Sequence, residues 1–169
     1  MSFWNLFNFG KSTTPSQLSA LAQKLDSSLP ELDDQAKAKI TAISGLLACV
    51  AHSDFHVCHT EEKDIKNALI RWCHLEEKQA QIIAKISLEE VQALASLEVH
   101  HYTATLEKCL DESERVAVLE ALFQLAASDG SVSHEESEFI RHIGHGLKLS
   151  HHEFIAARAT VLEHLKILK

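Results

Sequence analysis

The sequence predicts an all-α fold: an internally duplicated helical bundle, two three-helix units related by a pseudo-twofold axis. Three observations point there. Apolar residues recur at intervals of three and four along most of the chain, helix-capping patterns separate the periodic segments, and one turn signature occurs twice. Its fuller copy is Ser128-Asp129-Gly130-Ser131-Val132-Ser133-His134-Glu135-Glu136. The other runs from Ser53 to Glu61, with Asp54, Val57, His59 and Glu61 at the spacings of Asp129, Val132, His134 and Glu136. Outside the turns, Ala51 matches Ala126 and Ile65 matches Ile140.

The elements follow in order. Residues 1–13 form an aromatic arm carrying Phe3, Trp4, Leu6, Phe7 and Phe9, and 14–169 form one helical domain. Thr14-Pro15-Ser16-Gln17 has the pattern of a capping box opening a short helix that ends near Ser27, before Leu29-Pro30. Asp33 or Asp34 caps a second helix to about Ser53, largely buried through Ile40, Ile43, Leu47 and Val50. Glu61 to Cys73 places Ile65, Leu69 and Trp72 on one face, and Leu75 to Ile86 continues with Ile82, Ile83 and Ile86. This first unit spans about 33–86. Ser87-Leu88-Glu89-Glu90 reads as a further capping box, opening linker helices over 87–110 with a break near His100-His101. The second unit, about 111–169, starts at the cap Asp111-Glu112-Ser113-Glu114. Its first helix carries Val118, Leu119, Leu122, Phe123 and Leu125 and stops at Asp129-Gly130. The next bears Phe139, Ile140, Ile143 and Leu147, and the last, from Leu149-Ser150, bears Phe154, Ile155, Val161, Leu162 and Leu165.

Composition narrows the function. With 169 residues, 46% of them hydrophobic, the chain is long enough for one core. A net charge of -8 opposes a nucleic-acid partner, which calls for clustered Lys and Arg. Four cysteines without Cys-x-x-Cys spacing, no secretory pattern and no apolar run of membrane-spanning length predict a cytoplasmic protein with reduced thiols. The aromatic arm adds the expectation of peripheral membrane contact through Phe3, Trp4 and Phe7, set against folding onto the domain itself.

Two chemistries compete for the paired turns. Asp129 can close an Asx-turn, Gly130 supplies positive φ, Val132 packs beneath the next helix, and Ser133 with Glu136 completes a capping box. Capping does not account for Asp54 and Glu61, since Cys58 is a poor N-cap and Phe55 replaces the Gly. If the turns meet across the pseudo-twofold, Asp54, Glu61, Asp129 and Glu136 form an oxygen site for calcium, magnesium or manganese, with zinc ranked after these. Pairing with Lys63 or Arg141 would neutralise the carboxylates instead. The dense run His52, Asp54, His56, Cys58, His59 raises a separate soft-metal site without standard zinc spacing.

The run Ala127-Ser128-Asp129-Gly130-Ser131-Val132 with Glu136, Ile140, Ile143, Leu147 and Leu149-Ser150, and the weaker partner Asp54, Val57, Glu61 and Ile65, resembles the TerB-like family. The resemblance covers about Asp33 to Lys169, and the same domain type occurs in the co-chaperone DjlA. It implies an internally duplicated helical domain linked in bacteria to stress and tellurite resistance, with acidic residues proposed to bind metal and no established catalytic activity. Onto this chain it carries Asp54, Glu61, Asp129 and Glu136. The expected function is thus non-enzymatic, a cation-binding stress protein with an unidentified protein partner. The alternative is an interaction domain whose acidic turns are helix caps and hold no metal. A metal-dependent hydrolase is the third reading; the pairs Cys58–His59 and Cys73–His74 lack an oxyanion hole.

Overall fold

The computed structural model describes residues 18–51, 59–91 and 99–167, with side chains described for 21–51, 62–90 and 99–161. The described residues hold eight α-helices and no strand: α1 (Leu18–Ser28), α2 (Asp34–Ala51), α3 (His59–Cys73), α4 (Glu77–Val91), α5 (Val99–Cys109), α6 (Glu112–Ala126), α7 (His134–Gly146) and α8 (His151–Ile167). A 3-10 turn, Ala127–Asp129, follows α6. No helix among them is long and apolar enough to cross a membrane. The aromatic arm and the Thr14–Gln17 pattern lie outside the described residues.

The most apolar helix sits at the centre. From Lys37 to Val50, α2 is buried at every position but Lys39, and a helix apolar on all sides needs neighbours all round. It packs against α1, α3, α4, α5, α6 and α7. Its buried hydroxyls are satisfied within the helix, Thr41 Oγ1 donating to the Lys37 carbonyl at 2.8 Å and Ser44 Oγ to that of Thr41 at 3.1 Å. Lys37, also buried, reaches Asp26 of α1 at 2.6 Å. Further along the chain, α3 lies against α6, and α7 against α2.

Between α2 and α7 sits α5, and two glycines open the space for it. A Cβ at Gly45 would stand 2.5 Å from Tyr102 Cζ, and one at Gly146 would stand 2.6 Å from Thr103 Oγ1. Tyr102 is 1% exposed. His100 and His101 fall in the first turn of α5, which begins at Val99, and residues 92–98 just before it lie outside the described residues.

Local chemistry sets the helix ends. Asp33 Oδ1 accepts from the Ala36 N–H at 2.8 Å at the start of α2. Asp111 with Glu114 and Ser133 with Glu136 are reciprocal capping boxes, and Ser150 with Glu153 makes the same pair of bonds before α8. Ser87 departs from expectation: α4 runs through it, its side chain is fully buried, and among the described residues its hydroxyl has no hydrogen-bond partner. Burial of Ile83, Ser87 and Leu88 on one stripe favours continuing the helix over starting one. Ser87→Ala is therefore expected to stabilise the fold by about 1 kcal/mol, since it removes an unsatisfied buried hydroxyl; urea unfolding measures this.

After α7, the Leu149 N–H donates to the Gly144 carbonyl and the Lys148 N–H to that of His145, a Schellman ending with Lys148 at φ 58. Arg115 of α6 donates to the Leu147 carbonyl at 2.6 Å, tying this corner to the next layer. Lys148→Gly relieves a left-handed side-chain residue and is expected to raise stability by about 0.5–1 kcal/mol, read as a higher Tm.

Two caps also predict acid sensitivity. Asp111 is held below the usual carboxylate range by the Glu114 N–H and then the Ser113 hydroxyl. Glu153 is held low mainly by hydrogen bonds from Ser150. A lowered carboxylate stabilises the fold above its unfolded pKa, near 4, and that contribution is lost as pH falls through the lower folded value. An Asp111→Asn/Glu153→Gln double variant should therefore show a flatter decline of Tm from about pH 5 downward than the wild type.

Candidate functional site

In the fuller acidic turn, both carboxylates bind their own backbone. Asp129 Oδ1 accepts from the Ser131 N–H at 2.9 Å, the predicted Asx-turn, and from its hydroxyl at 3.3 Å. Gly130 takes φ 98, the left-handed geometry that a side chain would strain. Val132, half-buried, packs against the core. Glu136 Oε2 accepts from the Ser133 N–H at 2.7 Å, while Ser133 Oγ accepts from the Glu136 N–H at 3.1 Å. Asp129 is exposed and Glu136 half-buried.

The rest of the expected site cannot be set beside it. Asp54 lies outside the described residues, as do His52, His56 and Cys58 of the histidine-rich run; Glu61 and His59 fall within α3, but their side chains are not described. Arg141 pairs with Glu138 one turn earlier, so it does not neutralise Asp129 or Glu136. Among the described residues no group of three or more His, Cys, Asp or Glu side chains is placed to hold a metal ion. Asp129 and Glu136 would supply two carboxylates from one turn, each with one oxygen already accepting. A calcium site needs six to eight oxygens, so this turn alone does not fit one.

Sequence reading missed a groove between α3 and α6, with a cavity of about 170 Å³. Its walls are two helical stripes: Asp64, Asn67, Ala68, Arg71 and Trp72 from α3, facing Ala121, Gln124 and Leu125 of α6 and, at the turn, Ser128. Arg71 donates to Gln124 Oε1 at 3.3 Å across the groove and lies 5.4 Å from the Trp72 ring centroid, a cation–π distance. Polar residues one turn apart thus cover a floor of Ala68, Ala121 and Leu125. The signal was available as the i, i+3, i+7 spacing of Asp64, Asn67 and Arg71, but which helix faces them is a long-range fact. On the other side of Trp72 lies a larger cavity, about 320 Å³, lined by Lys39, Ile43, Trp72, His74, Leu110, Glu114, Ala117 and Val118.

The thiols near this face are poorly suited to chemistry. Burial pushes the Cys73 thiol up to about 12, with Lys39 opposing weakly. Burial also raises Cys109, against Lys108 and Lys39. A thiol that stays protonated at neutral pH is a weak nucleophile.

No curated protein and no solved structure matches the chain. The model of the family described as tellurite resistance protein TerB matches residues 40–159, from within α2 to about the middle of α8 and including the acidic turn. That match spans well over half of the chain, and with the all-helical architecture it means that the chain belongs to the TerB family.

Proposed function

We propose that this protein is a non-catalytic binding domain in a cytoplasmic response to tellurite or related stress, engaging a protein partner through the α3–α6 groove. The family's description links such domains to tellurite resistance. The observation that carries the binding role is the groove itself, where Arg71, Gln124, Asp64 and Asn67 present polar groups over an apolar floor. Mixed lining of this kind gives orientation from the polar groups and area from the floor. In this reading the Asp129–Glu136 turn is structural, its carboxylates ordering the entry to α7.

The test is tellurite survival of a strain lacking the gene, complemented by wild type or by Arg71→Glu. Loss of protection with Arg71→Glu at unchanged protein level supports the reading. Full protection by that variant, with no protection lost on Trp72→Ala either, rejects the groove.

One observation favours a second reading. Asp129 and Glu136 each use one carboxylate oxygen in the turn, leaving the other open to a cation shared with Asp54 and Glu61. The turn signature that occurs twice, from Ser53 to Glu61 and from Ser128 to Glu136, supports the internal duplication that this sharing requires. Calorimetric titration of chelator-stripped protein with calcium, magnesium, manganese and zinc decides it. Binding heat abolished by Asp129→Ala and by Asp54→Ala supports a shared site, and an absence of heat for all four ions rejects it.

A further inference from the structure

The larger cavity beside Trp72 is apolar on most of its wall, with Ile43, Trp72, Leu110, Ala117 and Val118 contributed by α2, α6, the end of α3 and the residue after α5. Lys39 and Glu114 form an ion pair across one edge at 3.1 Å. At about 320 Å³ it is at the small end of ligand pockets, roughly 300 Å³ and upward, and has room for an aromatic side chain. Trp72 is only half-buried there, although Ile65 and Leu69 on the same stripe are fully buried.

The sequence itself holds an apolar segment. Phe3, Trp4, Leu6, Phe7 and Phe9 precede α1 and lie outside the described residues. An apolar cluster of that density needs cover. Residues 1–10 carry no Lys or Arg, so the aromatic stretch itself supplies no side-chain cation to hold it on an anionic bilayer. The roughly nine residues from Phe9 to Leu18 span up to about 30 Å, twice the radius of gyration of about 15 Å for a domain of this size. Tethering also gives the segment an effective concentration of about millimolar at the groove, an advantage that a separate partner lacks.

We propose that the Phe3–Phe9 segment of the same chain docks in the groove bounded by Ile43, Trp72, Leu110 and Val118, seating Phe3 or Phe7 against Trp72. The segment then completes the apolar surface of the α2–α6 junction and borders the partner groove along their common wall, Trp72.

The chain has two tryptophans, one on each side of the proposed contact. In full-length Trp4→Phe protein, emission reports Trp72 alone. Adding Phe3→Ser and Phe7→Ser should shift that emission to the red and raise its acrylamide quenching, with the oligomeric state by light scattering unchanged. The reverse experiment uses Trp72→Phe, where emission reports Trp4. Filling the groove with Ala117→Arg should then make Trp4 more readily quenched. Unchanged Trp72 emission in the first experiment, or unchanged Trp4 quenching in the second with the helical circular dichroism retained, overturns the proposal. So does a spectral change that depends on protein concentration, which would assign the contact to a second copy. Burial of Trp4 only on adding phosphatidylserine vesicles would assign the segment to a membrane and also overturn it.

Discussion

Tyr102→Ala is expected to lower unfolding stability by about 3–5 kcal/mol, the range for removing a buried aromatic ring. Tyr102 is 1% exposed and fills the space that Gly45 leaves on α2. The complementary change should also destabilise: Gly45→Ala places a Cβ 2.5 Å from the ring, and overpacking a close contact costs about 1–3 kcal/mol. The two effects have one physical origin, so they should not add. In the double variant, the alanine at 45 occupies part of the space vacated by the ring, and a coupling energy of about 1 kcal/mol or more is expected. Urea denaturation of wild type, both single variants and the double variant measures it. Strict additivity would mean that the ring moves aside freely and that the close approach of α2 and α5 does not depend on Gly45.

Phe123→Ala is the second large effect, again about 3–5 kcal/mol. Phe123 is fully buried on α6 and meets Phe154 of α8 with ring centroids 5.5 Å apart and planes tilted by 54°. That tilted geometry, with centroids within the range aromatic pairs prefer, is worth about 0.5–1.5 kcal/mol beyond burial. The loss should be greatest in α8, whose buried stripe is Phe154, Ala157 and Val161. Hydrogen exchange should therefore show the amides of α8 losing protection before those of α2, which is enclosed by six neighbours. Phe123→Leu keeps most of the volume and should cost under half as much, roughly 1–2 kcal/mol.

Much of the fold was legible because the signals that announce helices act within a few residues. Asp33, Asp111, Ser133 and Ser150 cap helices through bonds to backbone two or three residues on, so their patterns needed no tertiary knowledge. Ser87-Leu88-Glu89-Glu90 shows where this fails. It has the same pattern, but packing of α4 carries the helix through it and buries Ser87. Periodicity likewise identified α4 and α8 but not each exposed position: Ile82 and Ile155, adjacent to Ile83 and Phe154, are 52% and 45% exposed. Two neighbours 100° apart on a helix cannot both face one core.

The candidate site was less legible, for a different reason. The geometry of Asp129 and Glu136 is local and was readable, Asx-turn and capping box included. The groove depends on which stripe of α3 meets which stripe of α6, and nothing within either segment encodes Arg71 reaching Gln124. The glycines beside α5 were equally silent. Gly45 lies within the apolar run of α2, and its reason lies in Tyr102, far along the chain.

That separation bears on the order in which the chain is made. When α2 emerges during synthesis, the hollow at Gly45 has no occupant, and it stays open until residues 99–109 arrive. Even then α5 is covered on one side only, because the second glycine seat, at Gly146, belongs to a helix made later still. The nascent protein thus carries an unfilled apolar face through most of translation, a state in which exposed hydrophobic surface invites chaperones or aggregation. Closure comes with α7, so a truncation before Gly146 should leave a chain that is helical but unable to bury its own centre.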